Sequence, residues 1–242
     1  MENEATPASS VGRLSYVPPD EERLVLRTAD FILSHLPLWR DDVKREHYAN
    51  EKRANSSLCD FLDHRARGSF PMVRFKHEAP QLADRTADLG VHGTDETTLI
   101  GTRGYTIYQP FMVIEAKRLP APEKNREREY VSGTDKATGA MQRFKLGLHG
   151  ADVETAVIVG YIEKESARYW HTTINRWISR LSANKVGGGW GEADKLGPIA
   201  CNDEQGTGAS ESRHSRSHGC SKSIRLRHLW VEMGRRHVHR SG

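Results

Sequence analysis

Two charged residues at the end of one apolar segment are the residues of this chain best suited to chemistry. Residues 111–117 read FMVIEAK, and their apolar, β-branched middle, followed by a proline-rich stretch, favours a buried strand over a helix. Side chains alternate across a strand, so Glu115 and Lys117 share one face. Burying a carboxylate and an ammonium at the end of a strand costs free energy unless both groups find partners of opposite charge. A divalent cation together with a phosphate would engage both.

A second short strand brings a further carboxylate into the pattern. Residues 86–91 read TADLGV, which places Asp88 on the face opposite the apolar side chains. The polar, glycine-containing stretch that follows is long enough for an antiparallel return to the Glu115 strand. Two adjacent strands would then bring Asp88, Glu115 and Lys117 together.

A helix before these strands carries another acid. Its pattern runs from Asp41 as N-cap to about Ala66, with Gly68 as its stop, and it has Glu51 on the apolar stripe. On that stripe the carboxylate of Glu51 would point toward the sheet. The alternative is a glutamate at the edge of the stripe, bonded to one of Lys52, Arg53 or Arg65.

Two elements are predicted after the Glu115 strand. A helix around residues 137–149 carries Gln142 beside its apolar stripe. Residues 155–162 read TAVIVGYI, a continuous apolar run typical of a central strand. Gln142 is therefore either a support for the catalytic strand or a surface glutamine.

With Asp88, then Glu115-Ala116-Lys117, then Gln142 in the next helix, the chain resembles the PD-(D/E)XK nuclease superfamily, which includes many restriction and repair nucleases. The resemblance covers about residues 41–165. Ala87 stands where the name-giving proline would be, a proline that is often missing in such proteins. The resemblance implies an α/β fold with a restriction endonuclease-like core, in which a mixed central sheet in αβββαβ order is flanked by helices.

The resemblance also implies an activity. The expected function is a Mg²⁺-dependent endonuclease that hydrolyses phosphodiester bonds in DNA, in a setting such as bacterial defence or DNA processing. Asp88, Glu115 and the backbone carbonyl of Ala116 would hold Mg²⁺, for which Mn²⁺ could substitute, and Glu51 would join them.

The remaining roles follow from the same resemblance. Lys117 would orient the attacking water and offset negative charge in the transition state, and Gln142 would support the site. Basic residues close to these positions are the expected DNA contacts: Arg118, Arg143 and Lys145. Cutting both strands with one site per chain usually requires two chains, so a homodimer is one open arrangement, for which the first helix could supply the contact; the sequence does not determine the oligomeric state.

Composition excludes several classes of protein. Mean hydropathy is −0.68, and no apolar run approaches the roughly 20 residues that span a bilayer. The N-terminus lacks the basic start and apolar core of a secretory signal, which favours a cytoplasmic protein. Three cysteines argue against a disulfide framework. A zinc site is disfavoured because the chain has no Cys-x2-Cys pair, and the residues that would form it are Cys201, His214, His218 and Cys220.

Charge and local composition predict how the chain is divided. Thirty-six basic against 32 acidic residues give a net charge of +4, which permits nucleic acid binding, although a basic tail is equally a solvated segment. The predicted parts are a disordered segment (1–19), a nuclease-like α/β domain (20–183), a flexible Gly/Ser/His/Arg-rich insertion (184–222), a last strand (223–233) and a basic tail (234–242). The first helix is expected to start at Asp20 and to close at Pro37.

Other readings of the same residues stay open. Glu115 could form an ordinary salt bridge with Lys117 or Arg118, and Glu78 and Asp84 are competing carboxylates. A nuclease-like domain without catalysis would be a nucleic-acid-binding or assembly module. A third reading is a structural protein in which the charged strand end is coincidental.

Overall fold

The protein is built around a mixed seven-stranded sheet. The computed structural model describes residues 21–45, 50–81, 85–133, 136–184, 189–216 and 218–234. The α-helices are α1 (Glu21–Asp41), α2 (Glu51–Ser69), α3 (Ala140–Lys145) and α4 (Ala167–Ala183), and two short 3-10 helices cover Lys124–Tyr130 and Glu192–Asp194. The strands are β1 (Val73–Pro80), β2 (Thr86–Gly93), β3 (Thr97–Ile100), β4 (Arg103–Thr106), β5 (Met112–Leu119), β6 (Thr155–Ile162), β7 (Ala200–Asn202), β8 (Thr207–Ser215) and β9 (Ser223–Glu232).

The sheet has the spatial order β1-β2-β5-β6-β9-β8-β7, and β3 and β4 pair separately as a hairpin. Strands β5, β6 and β9 run parallel in its centre, and the neighbours on both sides are antiparallel. The fold is therefore α/β with a mixed central sheet. The continuous apolar run at residues 155–162 is the central strand β6, as its composition predicted, because both of its faces are covered.

Helices cover both faces of the sheet. On one face Tyr161 packs against Trp39 of α1 and donates its hydroxyl to Asn55 of α2. On the other face Glu115 contacts Arg143 of α3, and Trp230 meets His171 of α4 edge to face. Among the described residues, no helix is long and apolar enough to cross a membrane.

Helix α1 does not close at Pro37, contrary to the sequence-based prediction. It continues to Asp41 with the proline inside it. The residues beyond the proline are anchored, since Trp39 donates its indole N–H to Ser57 and the buried Arg40 donates to the carbonyls of Gln205 and Glu232. These tertiary contacts outweigh the local cost of the proline.

Helix α2 is shorter at its start than the pattern predicted. It begins at Glu51, where the side chain of Asn50 caps it by accepting from the backbone N–H of Arg53, and it runs past Gly68 to Ser69. The predicted cap, Asp41, is the last residue of α1 instead. The prediction of an N-cap with an acceptor side chain is confirmed, but the residue is Asn50 and not Asp41.

The stretch 184–222, predicted as a flexible insertion, contributes two strands to the sheet. Strand β8 pairs along its whole length with β9, and β7 forms the sheet edge. The inward side chains of β8 are polar, so hydropathy did not reveal the strand: Ser210, Ser212 and His214 are all buried. The predicted disordered segment 1–19 and, apart from Gly234, the predicted basic tail 234–242 lie outside the described residues.

A hydrogen-bonded chain explains how these polar groups can be buried. His214 donates Nδ1–H to the carboxylate of Asp194 at 2.7 Å, so its Nε2 accepts from the Ser212 hydroxyl at 2.7 Å. Ser212 then accepts from Nε2 of His228 at 2.8 Å, and Nδ1 of His228 accepts from the Tyr130 hydroxyl at 3.0 Å. Each hydroxyl and imidazole has one proton to give, and burial holds the pKa of both histidines below its usual value.

Candidate functional site

Strands β2 and β5 bring the three sequence-predicted site residues to one face. The two strands pair antiparallel, with Leu89 opposite Ile114 and Gly90 opposite Val113. One step further along the register, Asp88 comes opposite Glu115, and the alternation of β5 puts Lys117 on the same face. The predicted antiparallel return between the two strands is confirmed.

Asp88 is fixed by the backbone of the neighbouring strand. Its Oδ2 accepts the N–H of Ala116 at 2.8 Å, and within the described residues Oδ1 accepts no hydrogen bond. Burial, followed by the negative charge of Glu115, raises the pKa of Asp88 to about 7, and Lys117 and the Ala116 N–H offset this only in part. Near neutral pH the carboxyl of Asp88 is therefore present in both its protonated and its ionised form.

Glu115 is 1% exposed and is held from two sides. His149 donates Nδ1–H to Oε1 at 2.6 Å, and Arg143 donates to Oε2 at the longer distance of 3.4 Å. Burial alone would raise the pKa of Glu115, but its interactions with His149, and then with Lys117 and Arg143, outweigh burial and hold the pKa below its usual value. Glu115 is therefore a carboxylate near neutral pH.

Lys117 is held by the acid of helix α2. Its Nζ donates to Oε1 of Glu51 at 3.1 Å, and the backbone N–H of Arg118 donates to Oε2 of Glu51 at 3.2 Å. Burial alone would lower the pKa of Lys117, but the three surrounding carboxylates, Glu51 above all, outweigh it and raise the pKa. Glu51 thus points toward the sheet, as its place on the apolar stripe predicted, and it meets the lysine there.

The ordinary salt bridges considered from sequence are not formed in the described part of the chain. Glu115 is bonded to His149 and Arg143, and Arg118 pairs with Glu163 at 2.6 Å. The competing carboxylate Glu78 pairs with Lys52, and Asp84 lies outside the described residues. The charged end of β5 therefore lies beside the carboxylates of Asp88 and Glu51, and Glu115 does not pair with the basic residues of its own strand.

A groove of about 480 Å³ opens over Lys117 and Glu51. Its far wall is the loop and 3-10 helix that follow β5. The described charged residues that line it balance in sign: Lys52, Lys117, Arg118 and Arg126 against Glu51, Glu123, Glu127 and Glu129. The groove by itself therefore has little attraction for a polyanion, and a phosphate entering it would depend on Lys117 and on added positive charge.

The oxygen donors of the site are those that a hard divalent cation prefers. No group of three or more His, Cys, Asp or Glu side chains in the described residues is arranged to hold a metal ion. Mg²⁺, however, is usually held by one or two carboxylates, with water and substrate phosphate filling its remaining positions. Asp88 has an oxygen without a hydrogen bond, and a carboxylate has about four lone-pair sites, of which His149 and Arg143 occupy two on Glu115. Asp88 and Glu115 thus keep lone pairs that are not used in hydrogen bonds, which is what this two-carboxylate mode of holding Mg²⁺ requires of its ligands.

The other sequence-predicted residues lie in different surroundings. Gln142 accepts the backbone N–H of Gly133 at 3.0 Å and so fastens the loop before α3. Lys145 is buried and pairs with Asp194 at 2.8 Å, which removes it from the surface that a DNA contact requires. Arg143 is partly buried against Glu115, so it reaches the site from within.

The residues considered for a zinc site from the sequence also have other surroundings in the structure. Both ring nitrogens of His214 are taken by Asp194 and Ser212, Cys201 lies in the edge strand β7, and Cys220 is exposed. His149 is the site residue that sequence reasoning missed. Its only sequence signal is a histidine between two glycine-containing turns just after the Gln142 helix, and such a signal does not identify its partner.

No protein family model matches the chain, and no significant match was found among curated proteins or solved structures.

Proposed function

We propose that the chain is a Mg²⁺-dependent nuclease of the PD-(D/E)XK type that hydrolyses phosphodiester bonds in DNA. The observation that carries the proposal is the placement of Asp88, Glu115 and Lys117 on one face of two adjacent antiparallel strands, beside an open groove. Omitting the β3–β4 hairpin, the elements from α2 to β6 also follow the αβββαβ order of a restriction endonuclease-like core. The placement of the three side chains and the order of the elements are independent observations, and both support the proposal.

The residues divide the work by their chemistry. Asp88 and Glu115 would hold the cation through hard oxygen ligands, and Ala116, which follows Glu115 in the chain, fixes Asp88 through its N–H. The bound ion would supply Lewis acidity toward the phosphate and lower the pKa of a bound water. His149 and Arg143 orient Glu115, as hydrogen-bonded partners of ligating carboxylates commonly do.

Lys117 carries the remaining role. It is 13% exposed, it borders the groove, and its ammonium is kept charged by the carboxylates around it. From this position it would hold the attacking water and offset the charge that builds on the phosphate oxygens. Glu51 fixes its direction.

A second candidate is a nuclease-like module that binds nucleic acid or assembles without cutting. One observation favours it: both oxygens of Glu115 already accept hydrogen bonds, and no third ligand joins the two acids in the described residues. In that reading the polar cluster is structural. Metal-dependent cleavage separates the two candidates.

The test uses purified protein with supercoiled plasmid and with single-stranded DNA, each with Mg²⁺ or EDTA. Asp88→Ala and Lys117→Ala are compared with Lys195→Ala, a lysine that directly follows the 3-10 helix Glu192–Asp194 and pairs with Glu192. Cleavage by the wild type and by Lys195→Ala, only with Mg²⁺ and lost in both site variants, would support the proposal. Cleavage that survives both site substitutions would refute the site, and Mg²⁺ binding without cleavage would favour the second candidate.

A further inference from the structure

Three basic side chains lie together on the outer strands of the sheet, and none of them lines the groove over Lys117. Arg74 of β1 is the register partner of His92 of β2, and Lys76 lies two residues further along β1. Because side chains alternate along a strand, Arg74, Lys76 and His92, the basic cluster, leave the same face of the sheet. Asp88 is on that face of β2 as well, four residues before His92, or about 13 Å at roughly 3.3 Å per residue.

No acid neutralises the two cations of this cluster within the described part of the chain. Arg74 is exposed and makes no hydrogen bond or ion pair there. Nζ of Lys76 has one partner, the carbonyl oxygen of Ile107, at the long distance of 3.4 Å. Glu78, the acid of β1, pairs with Lys52 at 2.7 Å instead. Arg74 and Lys76 therefore lie side by side without a counterion.

The groups of the basic cluster act against one another. Burial, followed by the charge of Arg74, lowers the pKa of Lys76. His92 is 4% exposed, its Nδ1 has no hydrogen-bond partner among the described residues, and burial followed by the charge of Lys76 lowers its pKa to about 4. Near pH 7 the cluster thus combines two positive charges with a neutral imidazole. A bound anion would relieve the repulsion between the two cations.

An exposed aromatic ring lies next to the basic cluster. Tyr108 is 81% exposed and directly follows Ile107, whose carbonyl accepts from Lys76. The segment that carries it is fixed to the sheet, because the N–H of Phe111 donates to the carbonyl of Val91 at 2.9 Å. An open ring on a fixed segment, beside cations without a counterion, suits a ligand that has both flat rings and negative charges.

We infer that the basic cluster and Tyr108 bind a single strand of DNA, with backbone phosphates on Arg74 and Lys76 and an unpaired base stacked on the tyrosine ring. Proteins that bind single strands combine cations along the backbone with aromatic rings for the bases. Bases inside a duplex are stacked on one another, so the ring selects unpaired ones. That the polyanion is DNA rests on the proposed function, and a substrate with a single-stranded segment extends that function.

Fluorescence anisotropy measures binding of the full chain to a short labelled dT strand in EDTA, which prevents cleavage. The comparison probes are an abasic strand of the same length, a blunt duplex and a poly-glutamate peptide. The abasic strand keeps the phosphates and lacks the bases. We expect the dT strand to bind about tenfold more tightly than the abasic strand, equivalent to about 1.4 kcal/mol and within the range for one stacked base.

Variants of the tyrosine test the stacking. Tyr108→Ala should bind the dT strand about tenfold more weakly than wild type and the abasic strand equally well. Tyr108→Phe, which keeps a ring, should bind like wild type, and duplex affinity should not depend on this position. Tyr169→Ala, which removes a second exposed tyrosine near the start of α4, should change none of these affinities.

Salt dependence tests the phosphate contacts separately. For single strands the slope of log K against log[salt] is about −0.7 for each phosphate that is neutralised. Arg74→Gln and Lys76→Gln should each make the slope shallower by about 0.7. Arg176→Gln, an exposed arginine on α4 that has no ion pair among the described residues, should leave it unchanged. Both cluster variants should melt no lower than wild type without DNA, because each removes one of two repelling charges.

Three results would overturn the inference: a dT strand bound no more tightly than the abasic strand, unchanged slopes in both Arg74→Gln and Lys76→Gln, or a poly-glutamate peptide bound as tightly as DNA, which would assign the surface to an acidic polypeptide. The same samples with Mg²⁺ test cleavage. Binding with the expected dependences but without cleavage would support this inference and refute the nuclease. Cleavage with wild-type binding in Arg74→Gln, Lys76→Gln and Tyr108→Ala would do the reverse.

Discussion

His149 donates Nδ1–H to Oε1 of Glu115 at 2.6 Å, and both side chains are almost completely shielded from solvent. A carboxylate can only accept, so the hydrogen bond fixes the position of the imidazole proton at Nδ1. The bond joins the central strand β5 to the loop after α3. It directly links the proposed catalytic strand to the part of the chain that packs over it.

His149→Ala should therefore destabilise the protein strongly. Removing one partner of a buried charged hydrogen bond leaves the other uncompensated, which typically costs about 3–5 kcal/mol. Urea denaturation at pH 7 measures the loss. His149→Gln, which keeps a donor, should recover part of it, and His64→Ala on the exposed face of α2 should stay within about 0.5 kcal/mol of wild type. A His149→Ala protein as stable as His64→Ala would mean that the hydrogen bond contributes nothing to the fold.

Asp88 should make the protein less stable as the pH rises. Its pKa is raised to about 7 in the folded state, so the folded protein holds a proton there that the unfolded chain releases near pH 4. The stability contributed by that proton is complete below the unfolded pKa and is lost as the pH rises through about 7. Asp88→Asn, which stays neutral, should thus be more stable than wild type at pH 8 by on the order of 2 kcal/mol.

Denaturation of Asp88→Asn and wild type at pH 5 and pH 8, without divalent ions, checks this prediction. The advantage of the variant should grow between the two pH values. Asp60→Asn, an exposed substitution on α2, should show no such growth. Equal curves for Asp88→Asn and wild type at both pH values would contradict the raised pKa, and loss of cleavage with a gain in stability would mark Asp88 as a functional group that costs stability.

His228 should have the opposite dependence. It is fully buried, and burial lowers its pKa well below the usual value, so the folded state keeps it neutral while the unfolded chain takes up a proton near pH 6.5. The stability that this contributes is present above about pH 6.5 and is lost as the pH falls below it. At pH 5 the loss should reach about 2 kcal/mol for this one group.

The measurement compares His228→Asn with wild type at pH 7 and pH 5. The variant should be less stable at both values, because Ser212 and Tyr130 lose their partner. Its further loss on acidification should be smaller than that of wild type by about the same 2 kcal/mol. An identical further loss would show that His228 is already protonated in the folded protein.

The sequence predicted the strands of the site better than it predicted their surroundings. Asp88, Glu115 and Lys117 could be placed on one face because alternation along a strand is a local property that needs no knowledge of the rest of the chain. Their neighbours could not be found in this way. His149 meets Glu115 only through the path of the loop after α3, and Lys145 is buried because Asp194, far along the chain, reaches it.

Strand β8 shows the limit of hydropathy. Its buried positions are small or titratable polar residues, and they are stable inside because Ser212, His214 and Asp194 satisfy one another. Composition alone, rich in Ser, Arg and His, predicts a flexible segment here. Whether a buried polar side chain finds hydrogen-bond partners depends on the folded sheet. It therefore cannot be predicted from the local sequence.

Glu51 has two possible roles in the site, as a ligand of Mg²⁺ or as the partner that positions Lys117. The sequence predicted it as a ligand of Mg²⁺, but the structure has its two oxygens on Nζ of Lys117 and on the N–H of Arg118. If Glu51 acts through Lys117, Glu51→Gln should lower the cleavage rate by about 10–100-fold and leave the affinity for Mg²⁺ nearly unchanged. If it ligates the ion, Mg²⁺ affinity should fall together with the rate.

The two roles are separated by titrating Mg²⁺ in binding and in cleavage on the same protein samples. Glu127→Gln, an acid on the far wall of the same groove, is the matched control and should change neither quantity by more than a few-fold. Because Glu51 also holds Lys117 in place, Lys117→Ala and the double variant with Glu51→Gln should be equally inactive. Additive losses in the double variant would show that Glu51 acts on the reaction through a route other than Lys117.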